Sequence, residues 1–185
     1  MKTDLDPATP RWLMPLARLL VVINRVMVVL GMFALLVAAG VLTYSVISRY
    51  VMQASTDWQD EAAVFCLVGA TFLCGAFVQS LRGHIGIEAM AGLLPPALER
   101  LRLALVDIFA TAFCAFFAWK SWSLFHEAWA EGQTTSSSWA PPLWIPYGLM
   151  AMGMTLLSLQ LFVQAAARLN PRAAIVVVRH EEVLS

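Results

Sequence analysis

The chain has 185 residues, of which 60% are hydrophobic and 13% charged, and its 12 Lys and Arg balance its 12 Asp and Glu. This composition, with a mean hydropathy of +0.73, excludes an ordinary soluble globular domain and indicates a chain that lies mostly in lipid. The charge balance gives no indication of nucleic-acid binding. We therefore predict an all-α integral membrane protein with a single membrane domain over residues 1–185.

Four long apolar runs predict four transmembrane helices, at about residues 19–48, 60–81, 101–128 and 143–168. A helix rises about 1.5 Å per residue, so about 20 residues cross a hydrocarbon core. The third run contains two ionisable residues, Asp107 and Lys120, which are intramembrane polar candidates. We expect each to lie near a lipid boundary, since a Lys side chain can extend toward water.

Basic residues recur every seven positions ahead of the first apolar run, at Arg11, Arg18 and Arg25. This spacing keeps them roughly on one helical face and predicts an interfacial lead-in helix. The apolar side chains available to lipid in this segment are Trp12, Leu13, Leu16 and Leu19. A basic flank that only sets the topology is favoured over specific binding to lipid. A cleaved signal peptide is disfavoured, because the apolar run is too long for one.

The distribution of Lys and Arg predicts the orientation, because short cytoplasmic loops carry the positive excess. Basic residues of the amino-terminal segment, the middle loop and the tail all share one side: Lys2, Arg11, Arg18, Arg25, Arg82, Arg100, Arg102, Arg168, Arg172 and Arg179. Both termini are therefore predicted to be cytoplasmic. Most Trp residues fall at or near the opposite interface, where amphipathic rings are favoured. These are Trp58, Trp119, Trp122, Trp129, Trp139 and Trp144.

The connection between the second and third spans is too long for a tight helical hairpin. Residues 82–102 mix apolar and polar side chains, which predicts a short amphipathic helix on the cytoplasmic surface. Pro95 and Pro96 would end it before the third span begins.

Small side chains form stripes on two of the spans. Ala62, Cys66, Ala70 and Cys74 follow one face of the second span, and Asp107, Thr111, Cys114 and Ala118 follow one face of the third. Such stripes let helix backbones approach closely, so we expect the two faces to match. Ordinary helix packing is favoured over a ligand pathway.

The inventory of reactive residues is poor. The three Cys lack a Cys-x-x-Cys pair, and the topology separates His84 from His126, so no disulfide chemistry, haem or metal site is predicted. His180 stands beside two Glu in the tail, where a solvated role is favoured. Asp60 and Glu61 lack a nucleophile nearby and are interpreted, with Asp57, as caps of the second span. No catalytic residue is predicted, and the chain is not expected to be an enzyme.

Four blocks of sequence stand at characteristic places in this pattern. Arg49-Tyr50 closes the first span, Trp58 to Glu61 opens the second, and Arg82 to Glu88 follows it. Gly132 to Ser138 then leads into Pro142 to Gly148 at the fourth span. In order and spacing these blocks resemble the small membrane (Q) subunit of tripartite ATP-independent periplasmic (TRAP) transporters, the DctQ family. The resemblance covers nearly the whole chain.

The resemblance implies a multi-pass subunit of a secondary transporter in a bacterial or archaeal cytoplasmic membrane. In that family a periplasmic solute-binding protein (P) delivers an organic anion, usually a carboxylate, to the membrane complex. The large membrane subunit (M) carries the substrate and sodium sites and moves, whereas the small subunit packs against its static scaffold. The expected partners are therefore M, P and membrane lipids, with sodium bound by M and no cofactor in this chain.

Carried onto this chain, the resemblance also implies candidate interface residues. Those expected at the periplasmic face, near the large subunit and the binding protein, are Arg49, Tyr50, Trp58, Asp60 and Glu61. Those expected at the cytoplasmic rim, near lipid headgroups, are Arg82, His84 and Glu88. Each also has a local interpretation as an interface anchor, a cap or a loop hydrogen bond. The polar stretch Gly132 to Ser138 is interpreted as a flexible outer connector, with contact to the binding protein as the second interpretation.

Two other classes of function stay open. A small integral-membrane enzyme, or a haem or quinone anchor subunit, would require a cofactor signal or a buried catalytic cluster. An independent four-helix transporter, acting as an oligomer, would require transport by this chain alone.

Overall fold

A computed structural model describes residues 10–51, 53, 57–81 and 95–168. Every element in this part of the chain is helical, apart from one isolated β-bridge in a loop. A 3₁₀ turn, Arg11–Leu13, leads into helix α1, Met14–Val51; α2 is Asp57–Ser80, α3 is Pro96–Ala130 and α4 is Trp144–Arg168. All four are long and apolar enough to cross a membrane, which confirms the expectation of four such helices, and each begins and ends within five residues of the predicted bounds.

The predicted lead-in helix is not a separate element. The basic segment runs without a break into α1. Leu13, expected to be available to lipid, is only 3% exposed, whereas Trp12 and Leu19 are exposed. Farther along α1, Ala17 and Leu20 pack against Val163 near the end of α4 and form a small core, with Leu16 packed against it. The predicted surface helix lies in residues 82–94, outside the described residues.

The helices form a layer in the order α1, α2, α4, α3. Side-chain contacts give their directions: α1 is antiparallel to α2, α2 is parallel to α4, and α4 is antiparallel to α3. Gln79 bonds to Gln164, for example, and Trp122 bonds to Thr155. The start of α1 also crosses to the end of α4. As a result α2 and α4 are the central helices, and α3 packs on α4 at one edge.

Our expectation that the small-residue stripes of α2 and α3 match each other is wrong. The stripe of α2 faces α1, where the backbone of Ala70 and the thiol of Cys74 surround Gly31. The stripe of α3 packs on α4 instead, with Ala118 buried. Small residues mark a face that allows close approach, but they do not specify which helix occupies it.

The central pair α2 and α4 meets at two glycines. A Cβ added at Gly153 would fall onto the backbone carbonyl of Phe72, and one added at Gly69 would lie 3.1 Å from Leu149 Cδ1. The two helices therefore approach as closely as their backbones allow.

Candidate functional site

One end of the layer collects most of the predicted interface residues. Here α1 ends, α2 begins, α3 ends and α4 begins, so four helix termini lie together. Trp58, Trp129, Trp139 and Trp144 lie at this end, which we call the tryptophan-rich end. Trp58 meets Trp139 edge-on at 6.3 Å between ring centroids, and Trp129 meets Trp144 in the same way at 4.9 Å. The rings link α2 to the α3–α4 loop and α3 to α4.

An ion pair joins α1 to α2 at this end. Arg49 Nη2 lies 3.4 Å from Asp60 Oδ2, and the Ser45 hydroxyl donates to Asp60 Oδ1 at 3.4 Å. Ser45 is buried, whereas the side chains of Arg49 and Asp60 are 59% and 55% exposed. An exposed pair of this kind contributes only about 0–1 kcal/mol to stability. Both charges therefore remain accessible to a partner.

Glu61 connects α2 to the loop between α3 and α4. Its Oε2 accepts a hydrogen bond of 2.8 Å from the Ser137 hydroxyl. Because a hydroxyl has one proton, the Thr135 hydroxyl at 3.2 Å must donate to Ser137. The Ala140 N–H also donates to the Ser137 oxygen at 3.1 Å. We call Ser45, Arg49, Asp60, Glu61 and Ser137 the polar end cluster.

Backbone hydrogen bonds close the α3–α4 loop, which carries Ser137. Helix α3 ends with Gly132 in the left-handed region (φ 62°) and with the Gln133 N–H donating to the Ala128 carbonyl, which satisfies the last turn. The loop then closes through Thr135 N–H to the Pro141 carbonyl and Leu143 N–H to the Gln133 carbonyl. The segment that the sequence suggested as a flexible outer connector is therefore closed by hydrogen bonds between its own backbone groups.

The carboxylates of the polar end cluster do not act as we interpreted them. Helix α2 begins at Asp57, three residues earlier than expected, so Asp60 and Glu61 lie at the end of its first turn. Their hydrogen bonds go to side chains of α1 and of the loop rather than to the first N–H groups of α2. The side chain of Asp57 lies outside the described residues.

Of the other predicted interface residues, Tyr50 is exposed beside Arg49, and Trp58 is partly covered by Trp139. Sequence reasoning grouped Arg49, Trp58, Asp60 and Glu61, and the structure brings these four to one end. It missed Ser45 and Ser137, because a serine in an apolar helix or a polar loop carries no signal of its own. Arg82, His84 and Glu88 lie outside the described residues.

A second set of polar contacts lies toward the opposite end of the layer and was also missed. Asn24 of α1, which is 2% exposed, donates to Gln160 Oε1 of α4 at 3.2 Å. Gln79 of α2 donates to Gln164 Oε1 at 2.8 Å, and Gln164 donates to the Gln79 carbonyl at 3.0 Å. Gln160 and Gln164 are four residues apart and so share a face of α4. That spacing was visible in the sequence, although the two partners were not.

The intramembrane candidates of α3 lie at different depths. The Trp122 indole N–H donates to the Thr155 hydroxyl at 3.0 Å, and Thr155 lies halfway along α4. This register places Lys120 opposite the middle of α4. Asp107, more than three helical turns earlier, lies near the level of the end of α4.

Residues 10–51, 57–81 and 95–168 contain no cluster of side chains that could hold a metal ion. Within these ranges no three His, Cys, Asp or Glu lie close enough to share a metal ion, and Cys66, Cys74 and Cys114 are not disulfide-bonded. What the site offers is an accessible surface of mixed charge, bordered by aromatic rings. Such a surface suits contact with another protein.

Comparison with known protein families gives a match over most of the chain. A family model described as the DctQ component of tripartite ATP-independent periplasmic transporters matches residues 38–170. No curated protein and no solved structure matches the chain. The matched range contains the whole polar end cluster, α2, α3 and α4.

Proposed function

The chain belongs to the DctQ family, a component of tripartite ATP-independent periplasmic transporters, and on that premise we propose that it is the static scaffold of such a transporter. It pairs with the large membrane subunit, and its tryptophan-rich end helps to form the docking face for the solute-binding protein. Both termini are cytoplasmic, and the tryptophan-rich end faces the periplasm. The membrane is the cytoplasmic membrane of a bacterium or archaeon.

The polar end cluster is the observation that supports this role most directly. Its ion pair adds little to stability, but it places the opposite charges of Arg49 and Asp60 side by side at the surface. Accessible surface charges favour specific encounter with a partner of complementary charge. The hydrogen bond between Glu61 and Ser137 fixes the neighbouring loop in the same surface.

The packing of the helices also supports a rigid role. Gly31 and Gly153 allow close backbone contact between α1 and α2 and between α2 and α4, and hydrogen bonds link α1, α2 and α3 to α4. A layer held at so many points suits a static support better than a moving element. In this proposal substrate and sodium bind to the large subunit, and the substrate is an organic anion, with a carboxylate expected from the resemblance.

Replacement of one carboxylate tests the docking face. Glu61→Ala removes the acceptor of the Ser137 hydroxyl, so the loop loses its hydrogen bond to α2, and we expect less assembled complex or slower transport with unchanged substrate preference. The assay co-expresses the chain with the large subunit and the binding protein, and measures co-elution and uptake of competing substrates. Glu131→Ala is the matched control, since that carboxylate bonds only locally, to Gln133 at 2.8 Å.

The outcomes separate the roles. Loss of assembly or rate in Glu61→Ala but not in Glu131→Ala supports the proposal. A changed substrate preference with normal assembly would contradict it, because preference belongs to the partner subunits.

A further inference from the structure

Helix α3 is an edge helix with one packed face and one free face. Its packed face carries the buried residues Ala118, Ser121 and Ala128, at helical spacing, against α4. The opposite face carries exposed aromatic rings one turn apart, with Lys120 continuing the same row. We call this row the outward face of α3; it consists of Phe109, Phe113, Phe116 and Lys120.

Lys120 lies on the outer surface of the layer, about halfway between the two ends of the helices. It is two residues from Trp122, whose indole bonds to Thr155 at the middle of α4. At about 1.5 Å per residue, roughly 15 to 20 Å of helix separates it from either end of α4. Half the thickness of a hydrocarbon core is about 15 Å. The ammonium group is therefore near the middle of the span.

Lipid headgroups are poor partners at this depth. A Lys side chain reaches about 6 Å, at bond lengths near 1.5 Å, which is less than the distance to either surface. The Cα–Cβ bonds of a helix also tilt toward its amino terminus, so in α3 they point away from the tryptophan-rich end. The contact that the structure gives the ammonium is the ring of Trp119, 5.2 Å from Nζ to the centroid. A cation–π contact leaves the positive charge uncompensated, and such a charge in lipid is costly.

The acids among the described residues do not compensate it. Glu127 is on the same face but seven residues away, about 10 Å along the helix, which is too far for a direct contact. Asp107 is thirteen residues away in the other direction, about 20 Å. A second copy inserted the same way would place its own Lys120 at the same depth, and two like charges would repel.

We propose that the outward face of α3 is the docking surface for a transmembrane helix of another chain, which places a carboxylate opposite Lys120. This inference rests on the proposed function, which identifies the other chain as the large membrane subunit. The aromatic rings of Phe109, Phe113 and Phe116 supply the apolar contact on the amino-terminal side, and Lys120 sets the depth at which the two helices align. A buried ion pair is well suited to fixing such a register.

Three replacements of one residue test the ion pair. The chain is co-expressed with the large subunit, purified in mild detergent through a tag on this chain, and the retained large subunit is quantified. Lys120→Arg keeps the positive charge, so this variant should still retain the large subunit. Lys120→Met leaves the partner carboxylate unpaired, and Lys120→Glu places a second negative charge beside it. We expect Lys120→Glu to retain about tenfold less large subunit, which corresponds to about 1.4 kcal/mol, with Lys120→Met between it and the wild type.

Stability of the chain purified alone separates docking from folding. Because Lys120 points away from α4, Lys120→Met should leave the thermal stability of the lone chain unchanged or raise it. Normal retention in Lys120→Met and Lys120→Glu would overturn the inference while the scaffold role stands. Failure of the wild-type chain to co-elute with the large subunit would overturn both.

Crosslinking identifies the occupant of the face. A benzophenone amino acid in place of Phe116, one turn from Lys120, should crosslink to a segment of the large subunit that carries an acidic residue. Crosslinks to phospholipid alone, or to a second copy of this chain, would contradict the inference.

Discussion

At the scale of single residues, Gly153 determines how closely the two central helices approach. A Cβ at this position would meet the carbonyl of Phe72 and lie 2.8 Å from Phe72 Cβ, so α2 and α4 would have to move apart. Overpacking of this kind costs about 1–3 kcal/mol. We therefore expect Gly153→Ala to lower the thermal stability of the purified chain in detergent.

Gly75→Ala is the matched control, because nothing lies within 4 Å of a Cβ added there. Alanine is the better helix former by up to about 1 kcal/mol, so this variant should be neutral or more stable. Equal melting temperatures for the two variants would refute the close approach at Gly153.

The polar end cluster shows how far single residues could be assigned from sequence. The block from Trp58 to Glu61 was conspicuous because charged and aromatic residues open an apolar run. The hydrogen-bond partners of this block were not conspicuous, because Ser45 belongs to α1 and Ser137 to the α3–α4 loop. Identifying them required the register of α1 on α2 and the closure of the loop, which depend on tertiary packing rather than on local pattern.

At the scale of helices, amide side chains link α2 and α4. Gln79 and Gln164 exchange two hydrogen bonds at a site where Gln79 is buried. Gln164→Leu removes both bonds and leaves a buried amide without a partner, at a cost of about 1–2 kcal/mol. Adding Gln79→Leu removes that amide as well, so we expect the double variant to be more stable than Gln164→Leu alone.

Thermal unfolding of the four proteins in one double-mutant cycle measures this coupling. Additive losses from the two single variants would show that the amides do not interact.

The number and ends of the helices were predictable, whereas their order was not. Charge-free length and flanking polar residues are local properties, so each predicted span matched its helix closely. Which helices are neighbours depends on how whole faces fit together. The small residues of α2 and α3 indicated two close-packing faces, but Gly31 of α1 and the face of α4 are what they meet.

At the scale of the whole molecule, the layer has two central helices and two free edges rather than the closed core of a four-helix bundle. Large apolar side chains remain exposed along α1 and α3. A membrane can cover them, but an edge helix with a mid-depth cation indicates a protein neighbour on that side. The depth of Lys120 could not be predicted from its own helix, because it follows from the register of α3 on α4.

Family membership makes the chain a component of a tripartite transporter, and the role that we propose for it there is a supporting one. The proposed division of labour places substrate and sodium on the large subunit and leaves this chain to hold a fixed surface on which the partners meet. Such a role predicts that the chain is required for transport but does not transport by itself.

Uptake of an organic acid by cells that express the large subunit, the binding protein and this chain, together and with each one omitted, tests that claim most directly. We expect uptake only when all three are present, and none from this chain alone. Uptake by this chain alone, or undiminished uptake when it is omitted, would contradict it.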